Sequence, residues 1–256
     1  MKLLLENWRR YLNEEVQDKY QIFLDMDGVL VDMTEGVVDS VNTNLQKVRN
    51  GASTDYKDPG SVHPGSKGRS EVLRKLAKEM EKEGRSKITA EEFDRLTDLK
   101  DTGNKELSGA DKHIERYFFK VASANEDWWA NLPALPHAQA LVDLANRASR
   151  NEEALILSAP MDPESIAGKE IWIENNLPGI DLEKVHIVSD KGAFLKSLNL
   201  PKNIIPILID DRAKYHRQFE SVGGQVIPWN IHDQNGSFDR AAEILNSIIA
   251  QKEKND

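Results

Sequence analysis

The chain has 256 residues, 39% hydrophobic and 30% charged, which is enough for one globular core and a smaller appended domain. Its formal net charge of -9 argues against a general nucleic-acid binder, because phosphate backbones attract basic surfaces, but it leaves room for a local basic pocket. The absence of cysteine excludes disulfides, thiolate metal sites and cysteine nucleophiles, and no apolar run approaches the ~20 residues of a membrane span.

The first residues, MKLLLENWRRYLNEEV, have the spacing of a helix, with Leu4, Trp8, Tyr11 and Leu12 on one face. Their apolar run is too short for a signal peptide. The absence of cysteine leaves the compartment open, and a cytoplasmic location fits it. We predict an N-terminal helical extension over residues 1–18. The simplest interpretation is a helix docked on the body of the protein; an arm that binds a partner or directs targeting, and a helix lying on a membrane surface, are the alternatives.

Five short apolar runs have the length and composition of buried strands, and they lie at residues 20–24, 154–157, 185–188, 204–209 and 225–228. Helical patterns accompany them at residues 138–148, 163–175, 212–222 and 239–251. Strands that alternate with helices predict an α/β fold in which helices cover both faces of a parallel sheet.

The exception is the long stretch between the first two strands, which contains no convincing strand. Helices are expected there at residues 70–82 and 109–122, and a third begins at Thr89, which forms a capping-box pattern with Glu92. The predicted domains are therefore an α/β core of residues 19–32 and 131–256 and a helical insertion of residues 33–130.

A glycine-rich stretch at residues 50–68 is expected to form a loop. Gly60 and Gly65 have the spacing of a phosphate-binding loop, but Ser66 displaces the lysine from its required position, and no strand precedes the stretch. The composition favours a mobile loop that lies over a site, and it argues against a nucleotide-binding motif.

The first strand runs into a pair of carboxylates in the sequence IFLDMDGVLVD. Asp25 lies at the strand end, and Asp27 faces the same crevice because the residue between them points away. In an open parallel sheet, ligands bind beyond these strand ends, and Gly28 permits the sharp turn that follows. Two carboxylates in one crevice repel each other unless a cation lies between them. The six histidines show no zinc-like spacing, so a hard, oxygen-preferring ion such as Mg²⁺ is the expected occupant.

Polar side chains also follow the other core strands. The second strand ends on Ser158, the third in VSDK with Asp190 and Lys191, and the fourth on Asp210 and Asp211. Taken singly, such residues are explained by their ordinary use in ending strands and capping helices. Taken together, they favour one crevice that holds several carboxylates, a hydroxyl and an ammonium group.

This set of groups suits the hydrolysis of a phosphate monoester. An ionised carboxylate can attack phosphorus to form an aspartyl-phosphate, which divides a very slow reaction into two steps. A second carboxylic acid protonates the leaving oxygen and later activates water, while a metal ion and a lysine neutralise the phosphoryl oxygens. These four requirements are matched by Asp25, Asp27, one of Asp210 and Asp211, and a lysine.

The segment DMDGVLVD resembles the first motif of the haloacid dehalogenase-like (HAD) phosphohydrolases, in which a nucleophilic aspartate precedes an acid/base aspartate. The later motifs of that superfamily are matched in order by Ser158, by a lysine and by the acidic pair in LIDD. The resemblance implies a HAD-like Rossmannoid three-layer core with a parallel sheet, and a helical cap inserted after the first strand. A dehalogenase is a poor fit, since Asp27 supplies acid/base chemistry that a dehalogenase of this fold does not need.

Within the superfamily the chain looks most like the 5′(3′)-deoxyribonucleotidases, over residues 20–33 and 126–215. DWWANLPALPHAQALVDL is similar to an aromatic cluster followed by a turn and a helix, LSAP to a Thr-Ser-Pro segment, and KEIWIENNLPG to a lysine-containing helix. VSDK and LIDDR resemble the last two segments of that family. The sequence departs from the family pattern at Met33, Ala159 and Ser189, which bear on nucleotide preference and leave the phosphatase chemistry intact.

The resemblance implies a role for each matched residue. Asp25 would be the nucleophile, and Asp27 the general acid/base. Magnesium would be bound by the Asp25 side chain, the Asp27 backbone carbonyl and either Asp210 or Asp211. The phosphate- and substrate-binding residues would include Ser158, Ala159, Lys169 and Lys191.

Two lysines and two tryptophans leave alternatives open. The family pattern places Lys169 in the third motif, although Lys191 directly follows a strand end and is favoured by geometry alone. Trp128 and Trp129, where the chain returns from the insertion, either stack on a nucleotide base or pack between cap and core. Both tryptophans are retained as candidate substrate-binding residues.

The leading interpretation is a magnesium-dependent hydrolase: a phosphomonoesterase that closes its cap over a small phosphorylated substrate, above all a nucleoside monophosphate. The alternatives are the same chemistry on a sugar phosphate or on polynucleotide ends, and a non-catalytic HAD-fold binding protein. The intact set of acidic residues argues against the last. A homodimer is compatible with this interpretation, and neither a membrane nor an extended nucleic acid is expected as a partner.

Overall fold

A computed structural model describes residues 20–51, 69–101, 107, 109–122 and 126–254. The predicted N-terminal extension over residues 1–18 and most of the predicted loop at residues 50–68 lie outside the described residues. The chain divides into two compact units. The sheet unit contains the described residues up to Asp32, Ala134–Pro160 and the chain from Ile173 onward, and the helical unit contains the described parts of Met33–Pro133 and Met161–Trp172. Compared with the predicted insertion, the helical unit also takes in residues 131–133 and 161–172.

The strands of the sheet unit are β1 (Tyr20–Leu24), β2 (Leu155–Ser158), β3 (Val185–Ile187), β4 (Ile205–Asp210) and β5 (Gln225–Pro228). All of them pair in parallel, in the order β3-β2-β1-β4-β5. The predicted α/β fold with a parallel sheet is therefore confirmed. Because β1 lies between β2 and β4, the strand order reverses beside it, and ligands bind outside the carboxyl ends of such strands.

The register of the two central strands places Asp25 beside Asp210. Leu24 of β1 pairs with Ile209 of β4, and the Asp25 amide donates a hydrogen bond to the Ile209 carbonyl at 2.9 Å. The next residue on each strand is therefore an aspartate. A slip of one residue would turn every side chain of a strand to the opposite face. The apolar residues that fix this register therefore also determine where the two carboxylates lie.

An apolar core anchors the strands just before their polar ends. Phe23, Leu157 and Leu208, one from each of three neighbouring strands, are buried together with Leu195 and Phe219. The Phe23 and Phe219 rings pack edge to face with their centroids 5.4 Å apart. Each such buried side chain contributes about 1.5–3 kcal/mol of transfer free energy, so the core helps to hold the strand ends in place.

The helices are α1 (Met33–Arg49), α2 (Arg69–Lys82), α3 (Ala90–Asp101), α4 (Gly109–Ala122), α5 (Glu126–Ala130), α6 (Ala138–Ala148), α7 (Pro163–Asn176), α8 (Lys191–Ser197), α9 (Ala213–Glu220) and α10 (Gln234–Glu253). Short 3₁₀ turns lie at Arg150–Glu152 and Leu182–Lys184. All the predicted helices within the described residues are present, with shifted ends at α9 and α10, whereas α1, α5 and α8 are not predicted. Within the described residues, no helix combines the length and apolar character needed to cross a bilayer.

Helix α1 is stabilised by packing more than by its local sequence. Its sequence, MTEGVVDSVNTNLQKVR, contains Gly36 and several β-branched residues, which have low helix propensity. Val37, Val41 and Leu45 nevertheless lie on one face and are buried. Burial of this face outweighs the poor propensity. The spacing of four between these residues is itself a helical signal, which the predicted elements omit.

Hydrogen bonds within the helical unit include the predicted capping box and a buried indole–carbonyl contact. The predicted capping box is confirmed, because the Thr89 amide donates to Glu92 Oε2 at 3.0 Å and the Glu92 amide donates to Thr89 Oγ1 at 3.3 Å. Further along, the buried Trp172 indole donates from Nε1 to the Leu132 carbonyl at 2.7 Å. This bond ties the first part of α7 to the helical unit, to which it belongs by its contacts.

Candidate active site

Three aspartates lie together at the carboxyl ends of β1 and β4. One carboxylate oxygen from each of Asp25, Asp210 and Asp211 lies within 4.8 Å of the other two. Asp25 and Asp210 are buried, and Asp211 is half-buried. The structure thus brings together the three side chains that the strand ends predict as metal ligands. We refer to these three aspartates as the acidic cluster.

The acidic cluster surrounds a fully buried ammonium group. Lys191 Nζ lies 2.6 Å from Asp210 Oδ2 and 2.9 Å from Asp25 Oδ1. The contact with Asp210 is a hydrogen bond, whereas the contact with Asp25 is an ion pair whose angles fall outside hydrogen-bond geometry. Lys191 is the first residue of α8, which begins there because the Asp190 side chain accepts a hydrogen bond from the Ala193 amide at 2.9 Å.

Asp210 is fixed by hydrogen bonds, and Asp211 carries an unpaired oxygen. Asp210 Oδ1 accepts from the Arg212 amide at 2.7 Å, and the Asp210 carbonyl accepts from His216 Nε2 at 2.8 Å and from the Trp229 amide at 2.9 Å. Asp211 Oδ1 is buried and has no hydrogen-bond partner. A buried polar atom without a partner costs about 1–3 kcal/mol, and more when it is charged, so this oxygen is suited to bind a cation.

The charges of the acidic cluster are unbalanced, since three carboxylates face one ammonium group. Burial raises the pKa of Asp210, and the charge of Asp25 adds to this effect, so that together they outweigh Lys191 and the Arg212 amide. Burial also raises the pKa of Asp211 well above its usual range, and Asp25 and Asp210 raise it further. Burial alone would lower the pKa of Lys191, but Asp25 and Asp210 raise it, so the lysine stays charged. Ionisation of all three carboxylates therefore requires additional positive charge.

These donors fit a divalent cation that prefers oxygen ligands. The acidic cluster offers carboxylate oxygens, among them the unpaired Oδ1 of Asp211. With Lys191 charged, two of the three negative charges remain uncompensated, which matches the charge of Mg²⁺. Asp25, Asp210 and Asp211 would hold this ion. The resemblance implies Asp25, the Asp27 backbone carbonyl and one aspartate of the Asp210 and Asp211 pair, and this finer ligand set remains a prediction.

Magnesium is expected to stabilise the folded chain against thermal unfolding. A cation that binds only the native state adds about 2.7 kcal/mol at a free concentration about 100 times its Kd. The measurement is the melting temperature in EDTA and through a Mg²⁺ titration. Asp211→Asn should remove most of the increase, whereas Asp239→Asn, which changes an exposed aspartate of α10, should retain it. Equal increases in wild type and Asp211→Asn would contradict the assignment of this site.

The turn after β1 is closed by backbone hydrogen bonds. The Met26 carbonyl accepts from the amides of Leu30 at 2.9 Å and Val31 at 3.0 Å, and the Gly28 amide donates to the Val31 carbonyl at 2.9 Å. Asp27 lies half-buried within this turn, and its carboxylate does not belong to the acidic cluster. This position is compatible with the predicted division of roles, in which Asp27 handles protons and binds metal only through its backbone carbonyl.

Gly28 is required for the close approach of this turn to Asp211. Its φ is +77°, a conformation that residues with a side chain rarely adopt. A Cβ atom at this position would lie 2.9 Å from Asp211 Oδ2 and 3.0 Å from Ile231 Cγ2. Both the backbone conformation and the available space therefore demand glycine.

Gly28→Ala is expected to destabilise the chain by about 2–3 kcal/mol, because it combines backbone strain with displacement of Asp211. Gly223→Ala is the matched control, since Gly223 has φ +95° and an added Cβ would meet no described atom within 4 Å. The control should cost only about 1 kcal/mol. The measurement is urea denaturation of both variants. If the two variants were equally destabilised, the packing against Asp211 would be irrelevant to stability.

The second strand brings the predicted phosphate-binding pair to the same end of the sheet. Ser158, the last residue of β2, is fully buried, and its carbonyl accepts from the Val188 amide at 2.8 Å. Ala159 follows it and is half-buried. Because the strands are parallel, both residues lie at the edge of the sheet that carries Asp25. Their contact with a substrate remains a prediction.

The two competing lysines lie in different units. Lys169, on α7, belongs to the helical unit, where it is fully buried with Nζ 4.9 Å from the centroid of the Trp129 ring. Lys191, in the sheet unit, contacts Asp210 at 2.6 Å and Asp25 at 2.9 Å. Helix α8 begins at Lys191, after the short loop of residues 188–190 that follows β3, and so places this lysine against Asp25 and Asp210 within the sheet unit. Which lysine takes the third-motif role remains a prediction. A substrate contact of Lys169 remains a prediction.

Trp128 and Trp129 are packed within the helical unit. They are 8% and 1% exposed, and their rings meet edge to face with centroids 5.0 Å apart. The Trp128 ring also meets the Phe118 ring at 6.3 Å. This packing explains the aromatic pair without a nucleotide base, and a contact with substrate remains a prediction.

Two residues of α9 that are not predicted from the sequence contact the acidic cluster or its lysine. The Tyr215 ring lies under Lys191, with Nζ 4.6 Å from its centroid, and His216 Nε2 contacts the Asp210 carbonyl at 2.8 Å. Burial raises the pKa of Tyr215, and the charge of Asp25 adds to this effect. The sequence signal that could have identified these two residues is their position directly after LIDDR. The first turn of a helix that follows a strand lies close to the carboxyl end of that strand.

Comparisons with known proteins find similarity only at the level of solved structures, since no protein-family model and no curated protein matches the sequence. A HAD family enzyme from Bacteroides thetaiotaomicron, in complex with magnesium and inorganic phosphate, is 13% identical over 84% of this chain and 95% of that chain, with a TM-score of 0.36. A haloacid dehalogenase-like family hydrolase from Streptococcus pneumoniae is 12% identical over 90% and 98%, with a TM-score of 0.40. A defluorinating L-2-haloacid dehalogenase is 11% identical over 82% and 80%, with a TM-score of 0.38. Identities and TM-scores this low support no conclusion about the activity of this chain.

Proposed function

We propose that the chain is a magnesium-dependent phosphomonoesterase that acts through an aspartyl-phosphate intermediate. The observation that carries the proposal is the acidic cluster itself. The Asp25 carboxylate lies 2.9 Å from the buried Lys191 ammonium group and within 4.8 Å of carboxylate oxygens from Asp210 and Asp211. This arrangement places the Asp25 carboxylate beside two groups that attract a phosphoryl anion, namely a lysine and a site for a divalent cation.

In the first step, a carboxylate oxygen of Asp25 attacks phosphorus, and the ester P–O bond breaks as the new bond forms. The electron pair of the broken bond stays on the leaving oxygen. That oxygen takes a proton from the Asp27 carboxylic acid, so the alcohol leaves uncharged. Lys191 has two tasks here, because it holds the Asp25 carboxylate in an ion pair and also balances the negative charge of the phosphoryl group.

In the second step, the Asp27 carboxylate accepts a proton from a water molecule whose oxygen bonds to phosphorus. The P–O bond to Asp25 breaks, its electron pair restores the Asp25 carboxylate, and inorganic phosphate is released. Asp27 is again a carboxylic acid, ready for the next cycle. When bound by the acidic cluster, Mg²⁺ supplies positive charge that neutralises the phosphoryl oxygens.

The substrate class proposed first is a nucleoside monophosphate, on the strength of the sequence resemblance to the 5′(3′)-deoxyribonucleotidases. One observation favours a second candidate, a sugar phosphate. Trp128 and Trp129, the residues predicted to stack on a base, are at most 8% exposed and pack against each other. A sugar phosphate needs no aromatic platform, so the burial of this pair removes one argument for a nucleotide.

A substrate panel tests the proposal. Magnesium-dependent phosphate release would be measured with deoxynucleoside 5′- and 3′-monophosphates, ribonucleotides, sugar phosphates, and oligonucleotides carrying a terminal phosphate. The nucleotidase proposal expects the highest kcat/KM with a deoxynucleoside monophosphate. A higher kcat/KM for a sugar phosphate or for polynucleotide ends would overturn that choice of substrate and keep the chemistry. Absence of phosphate release from every compound would overturn the enzyme and favour a binding protein.

A further inference from the structure

We propose that the helical unit carries a second anion site, which binds a small oligophosphate. The site is a cavity of about 670 Å³ whose wall includes four cationic side chains. We call it the basic pocket and define it by Arg49, Arg74, Lys78 and Arg85. All four residues belong to the helical unit, and none of them belongs to the proposed catalytic machinery.

The basic pocket concentrates positive charge on a chain whose formal net charge is -9. Arg49 is the last residue of α1, Arg74 and Lys78 lie on α2, and Arg85 follows the end of α2. Arg74 and Lys78 are four residues apart and therefore neighbours on one helix face. Like charges at this spacing repel each other and destabilise a helix. A bound anion would convert that repulsion into a favourable interaction.

Two of the four cations are held in place by other groups. The Arg85 guanidinium pairs with Glu83 at 2.9 Å, with Glu92 at 3.2 Å and with Asp111 at 3.3 Å. Arg49 Nη2 donates to the Arg85 carbonyl at 3.3 Å, and Nη1 donates to the Ser86 carbonyl. The carboxylates compensate the charge of Arg85, whereas the partners of Arg49 are neutral carbonyls. Arg49 is thus a positioned cation with its charge still available.

Arg74 and Lys78 are exposed, as is Arg49. In the described part of the chain, neither of them lies within ion-pair distance of a carboxylate, unlike Lys75 and Lys82 on the same helix, which pair with Glu71 and Glu79. Glu81 is the one carboxylate among the described residues that line the cavity. Three uncompensated cations against one carboxylate leave an excess of positive charge that suits an anion carrying more than one charge.

The size and lining of the basic pocket favour an oligophosphate over the other common anions. A cavity of about 670 Å³ lies within the range of small-ligand sites and exceeds what a single phosphate would fill. Guanidinium groups bind phosphate oxygens in a bidentate manner, and phosphate groups in series can reach cations on separate helices. The described lining contains no aromatic side chain on which the bases of a nucleic-acid strand could stack.

Binding of inorganic tripolyphosphate to the full chain tests this proposal. Calorimetric titration would be carried out at low salt in EDTA, because removal of divalent ions leaves the acidic cluster repulsive to anions. Wild type is expected to bind one tripolyphosphate per chain, with an affinity that falls steeply as salt is added. Arg74→Glu combined with Lys78→Glu should weaken binding by roughly tenfold or more. Orthophosphate should bind more weakly than tripolyphosphate. A further titration with a nucleoside triphosphate would show whether an attached nucleoside adds affinity.

A matched control comes from helix α4 of the same unit. Lys112 and Arg116 are also exposed, are also four residues apart and do not line the cavity. Lys112→Glu combined with Arg116→Glu changes the net charge equally and should retain wild-type affinity. Equal weakening by both double variants would show diffuse attraction and overturn the site. So would the absence of saturable binding to wild type, or binding of orthophosphate as tight as that of tripolyphosphate.

The variants also separate this site from the proposed catalytic site. Arg74→Glu with Lys78→Glu should leave the Mg²⁺-dependent turnover of an aryl phosphate unchanged in the absence of tripolyphosphate. If charge reversal impairs folding, as judged by circular dichroism, Arg74→Gln with Lys78→Gln removes the cations without adding carboxylates. This second pair should still weaken tripolyphosphate binding, and full affinity in a folded Gln variant would contradict the proposal.

Discussion

Asp25→Asn is expected to lower the turnover of a phosphomonoester by roughly 10⁵-fold, the scale seen when a nucleophile is removed from an enzyme. The amide has the shape of the carboxylate but lacks the charge needed to attack phosphorus. The variant should remain folded, and in EDTA it should be as stable as wild type or slightly more stable. The reason is that Asp25 raises the pKa values of Asp210 and Asp211, so its charge opposes the ionisation of its neighbours.

Steady-state kinetics with an aryl phosphate, together with thermal unfolding, would check this expectation. Asp239→Asn makes the same chemical change at an exposed aspartate and should leave both measurements unaffected. Turnover of Asp25→Asn within tenfold of wild type, roughly 1.4 kcal/mol in activation free energy, would exclude an aspartyl-phosphate at this position. A second readout is trapping of the phosphorylated chain, which should succeed in wild type and fail in the variant.

Lys191→Met is expected to destabilise the chain by about 3–5 kcal/mol, since it leaves buried carboxylates without their partner. Lys191 is 0% exposed and contacts both Asp25 and Asp210, so no water can replace the lost ammonium group without rearrangement. Turnover should fall as well, because the site loses the ammonium group that contacts Asp25 and balances the phosphoryl charge. Urea denaturation and steady-state kinetics would measure the two effects.

Lys196→Met, at an exposed position in the last turn of the same helix, is the control for α8 and should cost less than about 0.5 kcal/mol. Lys169→Met distinguishes the two lysines that the sequence leaves in competition. If Lys191 is the lysine of the third motif, Lys191→Met should impair turnover more than Lys169→Met does. The opposite order would return that role to Lys169 and show that the contacts of Lys191 are structural.

Several elements could be predicted from the sequence because their causes are local. The strands are short apolar runs bounded by polar residues, and each begins and ends within one residue of its expected limits. The capping box needs only Thr89 and Glu92, which lie three residues apart. Aspartates at the ends of β1 and β4 had to meet once these strands were adjacent, because parallel strands present their carboxyl ends at one edge.

Other features depend on contacts between distant parts of the chain, so only the tertiary structure decided them. Helix α1 forms because burial of one face outweighs its poor propensity, and this burial requires residues from other parts of the chain. The sequence leaves Lys169 and Lys191 in competition, and the tertiary structure places Lys191 against Asp25 and Asp210 within the sheet unit.

The burial of the tryptophans and the formation of the basic pocket also depend on contacts between separate parts of the chain. Burial of Trp128 and Trp129 depends on the helices that surround them, and the pocket unites residues of α1, of α2 and of the loop that follows α2. By itself, the sequence determined the sheet and the residues at its carboxyl edge, because those depend on hydrophobic periodicity and local chain termination. The tertiary structure decided which charged side chains meet, because side chains far apart in sequence become neighbours only through packing of the core.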